Sequence, residues 1–150
     1  METAHVIGHM KSDATESRRA SLFDWADIIG RIGLALLFLW SGYGMLAHTA
    51  SQVALMQAYG MPAANILIWP TALVELVAGA MLVLGWRARW AALALILFTV
   101  AATLIFHAYW SVPADQVMNQ QNEFAKNLAI VGGLLLVLAH GSGRYALDKS

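Results

Sequence analysis

The 150 residues include no cysteine, which excludes thiol–disulfide chemistry, cysteine-ligated zinc and cysteine-ligated iron–sulfur clusters within this chain. Charge is nearly as scarce, at 12% of residues, and nine Lys and Arg cancel nine Asp and Glu. With no net charge and no clustered basic stripe, the sequence offers nucleic acid no electrostatic footprint. A Ser-His-Asp spacing, a glycine-rich phosphate loop and a zinc motif are also missing. No internal repeat or low-complexity tract organises the chain.

What is plentiful is apolar side chain, at 59% of residues, with a mean hydropathy of +0.61. That composition describes an integral membrane protein of one domain. Four apolar stretches, Ile28–Ala47, Ala64–Leu84, Ala88–Trp110 and Phe124–His140, are set against the ~20 residues that a hydrocarbon core of about 30 Å requires. They predict an all-α, four-helix membrane bundle. Basic residues fix the expected orientation. Lys11, Arg18, Arg19 and Arg31 precede or open the first span, Arg87 and Arg89 fill the second connection, and Arg144 and Lys149 lie in the tail, while Lys126 alone falls on the other side. The positive-inside rule then places both termini in the cytoplasm. The first span starts too late and runs too long for a cleaved signal peptide, so it is expected to be retained.

Residues 1–20 are polar and aperiodic, the composition of a disordered cytoplasmic tail, and 21–148 form the membrane domain. His5 and His9 belong to that tail, and no metal role is expected of them. Ser21 with Asp24 resembles a capping box, so the first helix is expected to begin there. The connection from His48 to Pro62 is expected to hold a short interfacial helix through Val53, Leu55, Met56 and Tyr59. Pro70 cannot donate to the carbonyl of Ile66 and predicts a kink near Trp69. Trp86 and Trp90 mark one aromatic belt, Tyr109 and Trp110 the other. Ser111 to Glu123 reads as a polar loop.

Glu75 is the one ionisable group inside the uncharged run Ala63–Gly85. A charge at the bilayer centre costs a few kcal/mol even on lenient scales, so such a residue faces protein or water and often marks a functional path. The alternative is a protonated carboxyl that merely hydrogen-bonds a neighbouring helix. Counted at 1.5 Å per residue, Glu75 and Thr99 lie about 15 Å deep and Tyr43 about 18 Å. Tyr43 and Thr99 are therefore the expected partners of the carboxyl. Thr99, Thr103 and His107 recur every four residues as one polar stripe. It is expected to face the bundle, with His107 at a mouth shared with Glu123, Lys126 and Asn127; an interfacial histidine bonded only to water is the alternative. A bis-histidine haem is not expected, since His107 and His140 lie at opposite ends and only His48 shares a side with His107. No metal is expected either.

In order along the chain, Arg31-Ile-Gly33, Ser41-Gly-Tyr-Gly44, Leu73-Val-Glu75 with Gly79, and Thr103 with His107 resemble the DoxX family of small four-helix membrane proteins. Asn122-Glu123-Phe, Lys126-Asn127, Gly132-Gly133, Gly143-Arg144-Tyr145 and Leu147-Asp148 continue the resemblance, which runs from about Arg31 to Asp148. Met45 stands where the family commonly places Lys. The resemblance implies a bundle in a bacterial inner membrane, associated with respiratory or oxidoreductase systems, since some relatives are membrane subunits of thiosulfate:quinone oxidoreductases.

The leading expectation is a redox-associated subunit that binds a quinone-like, lipid-soluble molecule. Glu75 and His107 would then handle protons, and Tyr43, Thr99, Thr103, Glu123, Lys126 and Asn127 would build the binding site. The electron donor would be a protein partner, because the chain carries no redox centre of its own. The rival readings are a non-enzymatic protein that assembles with or stabilises another, or a homo-oligomeric carrier of a small solute or lipid.

Overall fold

The computed structural model describes residues 2–143 and 146–148, with side chains from Asp24 onward. The chain forms α1 (Glu2–Ala47), α2 (Thr49–Ala58), α3 (Ala64–Leu84), α4 (Ala88–Phe106), a single 3₁₀ turn (Tyr109–Ser111) and α5 (Ala114–His140). Four segments are long and apolar enough to cross a membrane: Asp24–Ala47, Ala64–Leu84, Ala88–Ser111 and Ala114–His140. Their outward faces carry Trp25, Trp40, Trp69, Trp90, Leu104 and Leu136, all exposed. In lipid such faces are solvated by acyl chains, and helices associate through close packing instead.

That packing is carried by small residues. α1 lies along α3, α3 against α4, and α4 against α5, while α5 returns to α1 only over a short stretch. Between α1 and α3 the backbones approach at Ala35, Gly42, Ala72 and Gly79. A Cβ on Gly42 would lie 2.8 Å from Leu76 Cγ and 3.2 Å from the Ala72 carbonyl oxygen, so only glycine fits there. Deeper in, Leu82, Leu95 and Leu134 fill the centre with the alanines of α4.

Two boundaries differ from the sequence expectation. The backbone of α1 is helical from Glu2 rather than from Ser21, so the polar stretch expected to be a disordered tail continues the first span. Residues 2–20 contain no proline, and about half of them are helix-favouring Ala, Glu, Met, Lys or Arg, so an established helix can extend through them. Likewise, most of the expected loop before Phe124 is helix: α5 begins at Ala114, after an extended Pro113, with Asp115 in its first turn. An acidic side chain there complements the helix dipole. At 1.5 Å per residue the 27 residues of α5 span about 40 Å, so its first turns stand beyond a hydrocarbon core of about 30 Å. The short helix after His48 is present as α2. Pro70 lies inside α3, where the Thr71 hydroxyl binds the Leu67 carbonyl at 2.8 Å.

The two ends of the bundle are closed differently. At the end of Arg31, Arg87 and Arg89, the α3–α4 turn uses left-handed backbone at Gly85 (φ 64°) and Arg87 (φ 46°). The segment after α5 folds back over that turn, with the Leu147 and Asp148 amides donating to the Leu84 and Gly85 carbonyls at 3.2 and 3.3 Å. Buried Arg31 donates from Nη1 to the Ser142 carbonyl. At the opposite end Tyr109, Trp110 and Phe124 pack edge-to-face, with centroids 5.1 to 6.1 Å apart, and fix the 3₁₀ turn to α5.

Candidate functional site

Between the arginine end and α2 the bundle holds a partly open cavity of about 450 Å³, lined from all five helices. Its volume lies in the range of small-molecule sites, and its walls follow their usual pattern of apolar surface with a few polar groups. Leu37, Phe38, Phe98 and Ile130 form the apolar walls, Met45, Met56 and Met61 the outer rim. Thioether side chains adapt to irregular occupants.

Two buried oxygens face this space without a protein partner. Glu75 on α3 is 3% exposed and Thr99 on α4 is 5% exposed; neither Glu75 Oε2 nor Thr99 Oγ1 makes a hydrogen bond. Both residues line the cavity. Thr103, one turn on, shows the usual alternative, donating back to the Thr99 carbonyl at 2.6 Å, and it does not line the cavity. Thr99 keeps its hydroxyl in reserve. The Glu75 carboxyl has the Ser41 hydroxyl as its hydrogen-bonding neighbour. Leaving a buried polar atom unpaired costs about 1–3 kcal/mol, which a bound molecule with matching groups would recover.

At the end away from the arginines, α2 lies over the cavity. Gln52, Leu55, Met56 and Tyr59 close it, and the Tyr59 ring meets Phe106 edge-to-face at 5.1 Å. His107 ends α4, its amide donating to the Thr103 carbonyl at 2.9 Å. Its Nδ1 pairs with Gln120 Oε1 at 2.9 Å, while the ring also borders the cavity together with Asn127. Glu123 forms an ion pair with Lys126 at the surface. An exposed pair of this kind adds little stability.

The sequence-expected residues thus separate into groups. Glu75, Thr99, His107 and Asn127 share the cavity. Thr103 is buried beside it, bonded to its own helix. Glu123 and Lys126 sit outside its lining, paired with each other. Tyr43 is 63% exposed and stands apart from it, where Ser41 takes the position expected of it. Ser41 and Tyr43 flank Gly42 by about 100° on either side, so depth alone could not choose between them. Ser41 does share a stripe with Leu34, Leu37 and Met45 at i+3, i+7 and i+11, which was the available signal. Gln120 was hidden because the segment before Phe124 read as loop.

The DoxX family model matches residues 26–108, a region that contains Ser41, Glu75, Thr99 and His107 and leaves α5 outside. Inner membrane protein YphA of Escherichia coli (strain K12) is 30% identical over 122 residues, covering 81% of this chain and 87% of the relative. Inner membrane protein YqjF of the same organism is 30% identical over 128 residues, covering 85% and 93%. A Surfeit locus protein 4 homolog of Schizosaccharomyces pombe is 31% identical over 127 residues, 81% of this chain but 36% of that protein. No solved structure matches. Four apolar helices around a shared cavity, a family model spanning more than half the chain and relatives aligned over nearly their whole length lead to one conclusion: the chain is a multi-pass membrane protein and belongs to the DoxX family.

Proposed function

We propose that the chain is an inner-membrane, redox-associated DoxX protein that binds a quinone-like, lipid-soluble molecule in the cavity, with both termini in the cytoplasm. One observation carries this reading: Glu75 and Thr99 each present an unpaired buried oxygen to the same apolar cavity. A protonated Glu75 would donate to a carbonyl of the ligand, and Thr99 would donate to or accept from the ring substituents. A quinone supplies two-electron chemistry, taking up two electrons and two protons. Electrons would come from a partner oxidoreductase, since no residue here carries a redox centre. Glu75 would hand over the two protons in turn, being reprotonated after each from the end where His107, held by Gln120, borders both cavity and interface. Phe98, Phe38 and the methionines line the space around the carboxyl, and such an apolar wall would limit the access of bulk water to it.

Mass spectrometry of lipids extracted from protein purified in mild detergent tests the proposal. A quinone at close to one per chain, lost in a Glu75→Ala, Thr99→Val double variant that still folds, is the expected result. Purified protein free of quinone, eluting instead with a second polypeptide through contacts that do not need Glu75, would overturn it in favour of an assembly role.

A further inference from the structure

Leu34, Leu37, Ser41 and Met45 form one stripe along α1. At Leu34 the stripe meets α5: a Cβ on Gly133 would lie 3.3 Å from both Leu34 methyl carbons, so the seam between the two helices is shut there. One turn further from the arginine end it parts. Leu37, Ser41 and Met45 face the cavity instead, with Asn127 and Ile130 as the α5 side of its wall. Among the described residues the backbones of α1 and α4 stay apart, and Phe38 and Phe98 face the cavity between them. Leu37 is 42% exposed while also lining the cavity. It stands ten residues before the end of α1 at Ala47, about 15 Å along the helix, which is hydrocarbon depth. At the far end α2 and the Tyr59–Phe106 contact lie over the cavity, with Leu55 and Tyr59 exposed on their outer side.

We infer that the α1–α5 seam is a lateral opening, and that the cavity takes an amphiphile with one hydrogen-bonding head and one apolar tail directly from the bilayer. The head reaches Glu75 and Thr99 past Leu37, and the tail remains between α1 and α5. This rests on the cavity being a ligand site, as proposed above, but not on the ligand being a quinone. The class is set by the lining: two unpaired oxygens at the inner end suit one small polar head. The walls leading to it are apolar, and a chain longer than a cavity of about 450 Å³ holds extends out between α1 and α5 at hydrocarbon depth.

The test uses the full chain in phospholipid vesicles and a long-chain alcohol carrying an alkyl diazirine near its hydroxyl. After irradiation, crosslinks are mapped by peptide mass spectrometry. The expected result is insertion at Glu75 and Phe98. Leu37→Trp, which fills the seam, should reduce cavity crosslinks at least tenfold, while lipid-facing Trp40 and Leu104 stay labelled. Leu37→Phe serves if the larger side chain lowers the yield of folded protein. Cavity labelling unchanged in both variants, or equal labelling by a short, charged, water-soluble diazirine, would overturn the lateral route and place the opening at α2. Seam-dependent labelling of protein that carries no quinone would refute only the quinone. Bound quinone with seam-independent labelling would refute only the route.

Discussion

Arg31 on α1 donates to the carbonyl of Ser142, 111 residues later in the chain, and thereby joins the first span to the segment that seals the bundle below α5. The Ser142 hydroxyl in turn donates to the Asp148 carbonyl at 2.6 Å, and the segment pairs with the α3–α4 turn. Two parts of the family resemblance, Arg31-Ile-Gly33 and the residues around Leu147-Asp148, thus meet in space. Arg31→Leu keeps bulk but leaves a buried carbonyl unpaired, a loss of about 1–3 kcal/mol. Thermal unfolding in mild detergent should show it, with Arg31→Lys partly restoring stability. An unchanged melting temperature in the leucine variant would show that the contact does not hold the end closed.

Gly85 is constrained twice at the same place. Its φ of 64° is a left-handed conformation that costs a side-chain-bearing residue roughly 1–2 kcal/mol. A Cβ there would also run into the Arg31 guanidinium and Ala146. Gly85→Ala should therefore destabilise by more than the backbone cost alone. Gly132 is the control, since nothing lies within 4 Å of its would-be Cβ; Gly132→Ala should be neutral or slightly stabilising, because alanine favours the helix. Equal stability of the two variants would contradict the close packing described at the turn.

Orientation can be read directly. Eight of nine basic residues precede or open the first span, fill the α3–α4 connection or follow α5 in the sequence, a bias from which the positive-inside rule predicts that both termini are cytoplasmic. A reporter active only after export should be silent when fused after Ser150 and active when inserted near Pro113, between the 3₁₀ turn and α5. The opposite pattern would reverse the topology.

Hydropathy made the four spans legible, because crossing about 30 Å of hydrocarbon demands runs of apolar residues whatever the fold. It could not show that α5 starts at Ala114, since the residues that extend it beyond the bilayer are polar and read as loop. Glu75, Thr99 and His107 were legible as a group from depth and four-residue spacing. Rotation was not. Depth does not say whether Ser41 or Tyr43 faces the carboxyl, and the one signal within α1 was the stripe that Ser41 shares with Leu34, Leu37 and Met45, which does not by itself say that this stripe meets Glu75. Arg31 was visible as part of the resemblance and as a count toward orientation, but its burial follows from the folding back of the last residues over the α3–α4 turn. That contact is non-local, so no pattern within α1 announces it.

Glu75 and Thr99 provide a test in which stability and function move in opposite directions. Thr99 Oγ1 is buried without a protein partner, so Thr99→Val, which keeps the shape and removes the hydroxyl, should leave stability unchanged or raise it. If that hydroxyl serves a ligand, affinity should fall by the worth of one hydrogen bond, about 0.5–1.5 kcal/mol or roughly two- to twelvefold. Glu75→Gln separates a different pair of roles. The amide retains hydrogen-bonding capacity near Ser41 but has no proton to give, so fold and ligand occupancy should persist while turnover drops by about 10²–10⁴, the range for loss of a positioned acid. The measurements are thermal unfolding, ligand content after purification and complementation of a deletion strain, for both variants side by side. A Thr99→Val protein that melts well below the wild type would mean that the hydroxyl is structural. A Glu75→Gln protein that complements fully would remove Glu75 as a proton carrier and leave it as a hydrogen bond between helices.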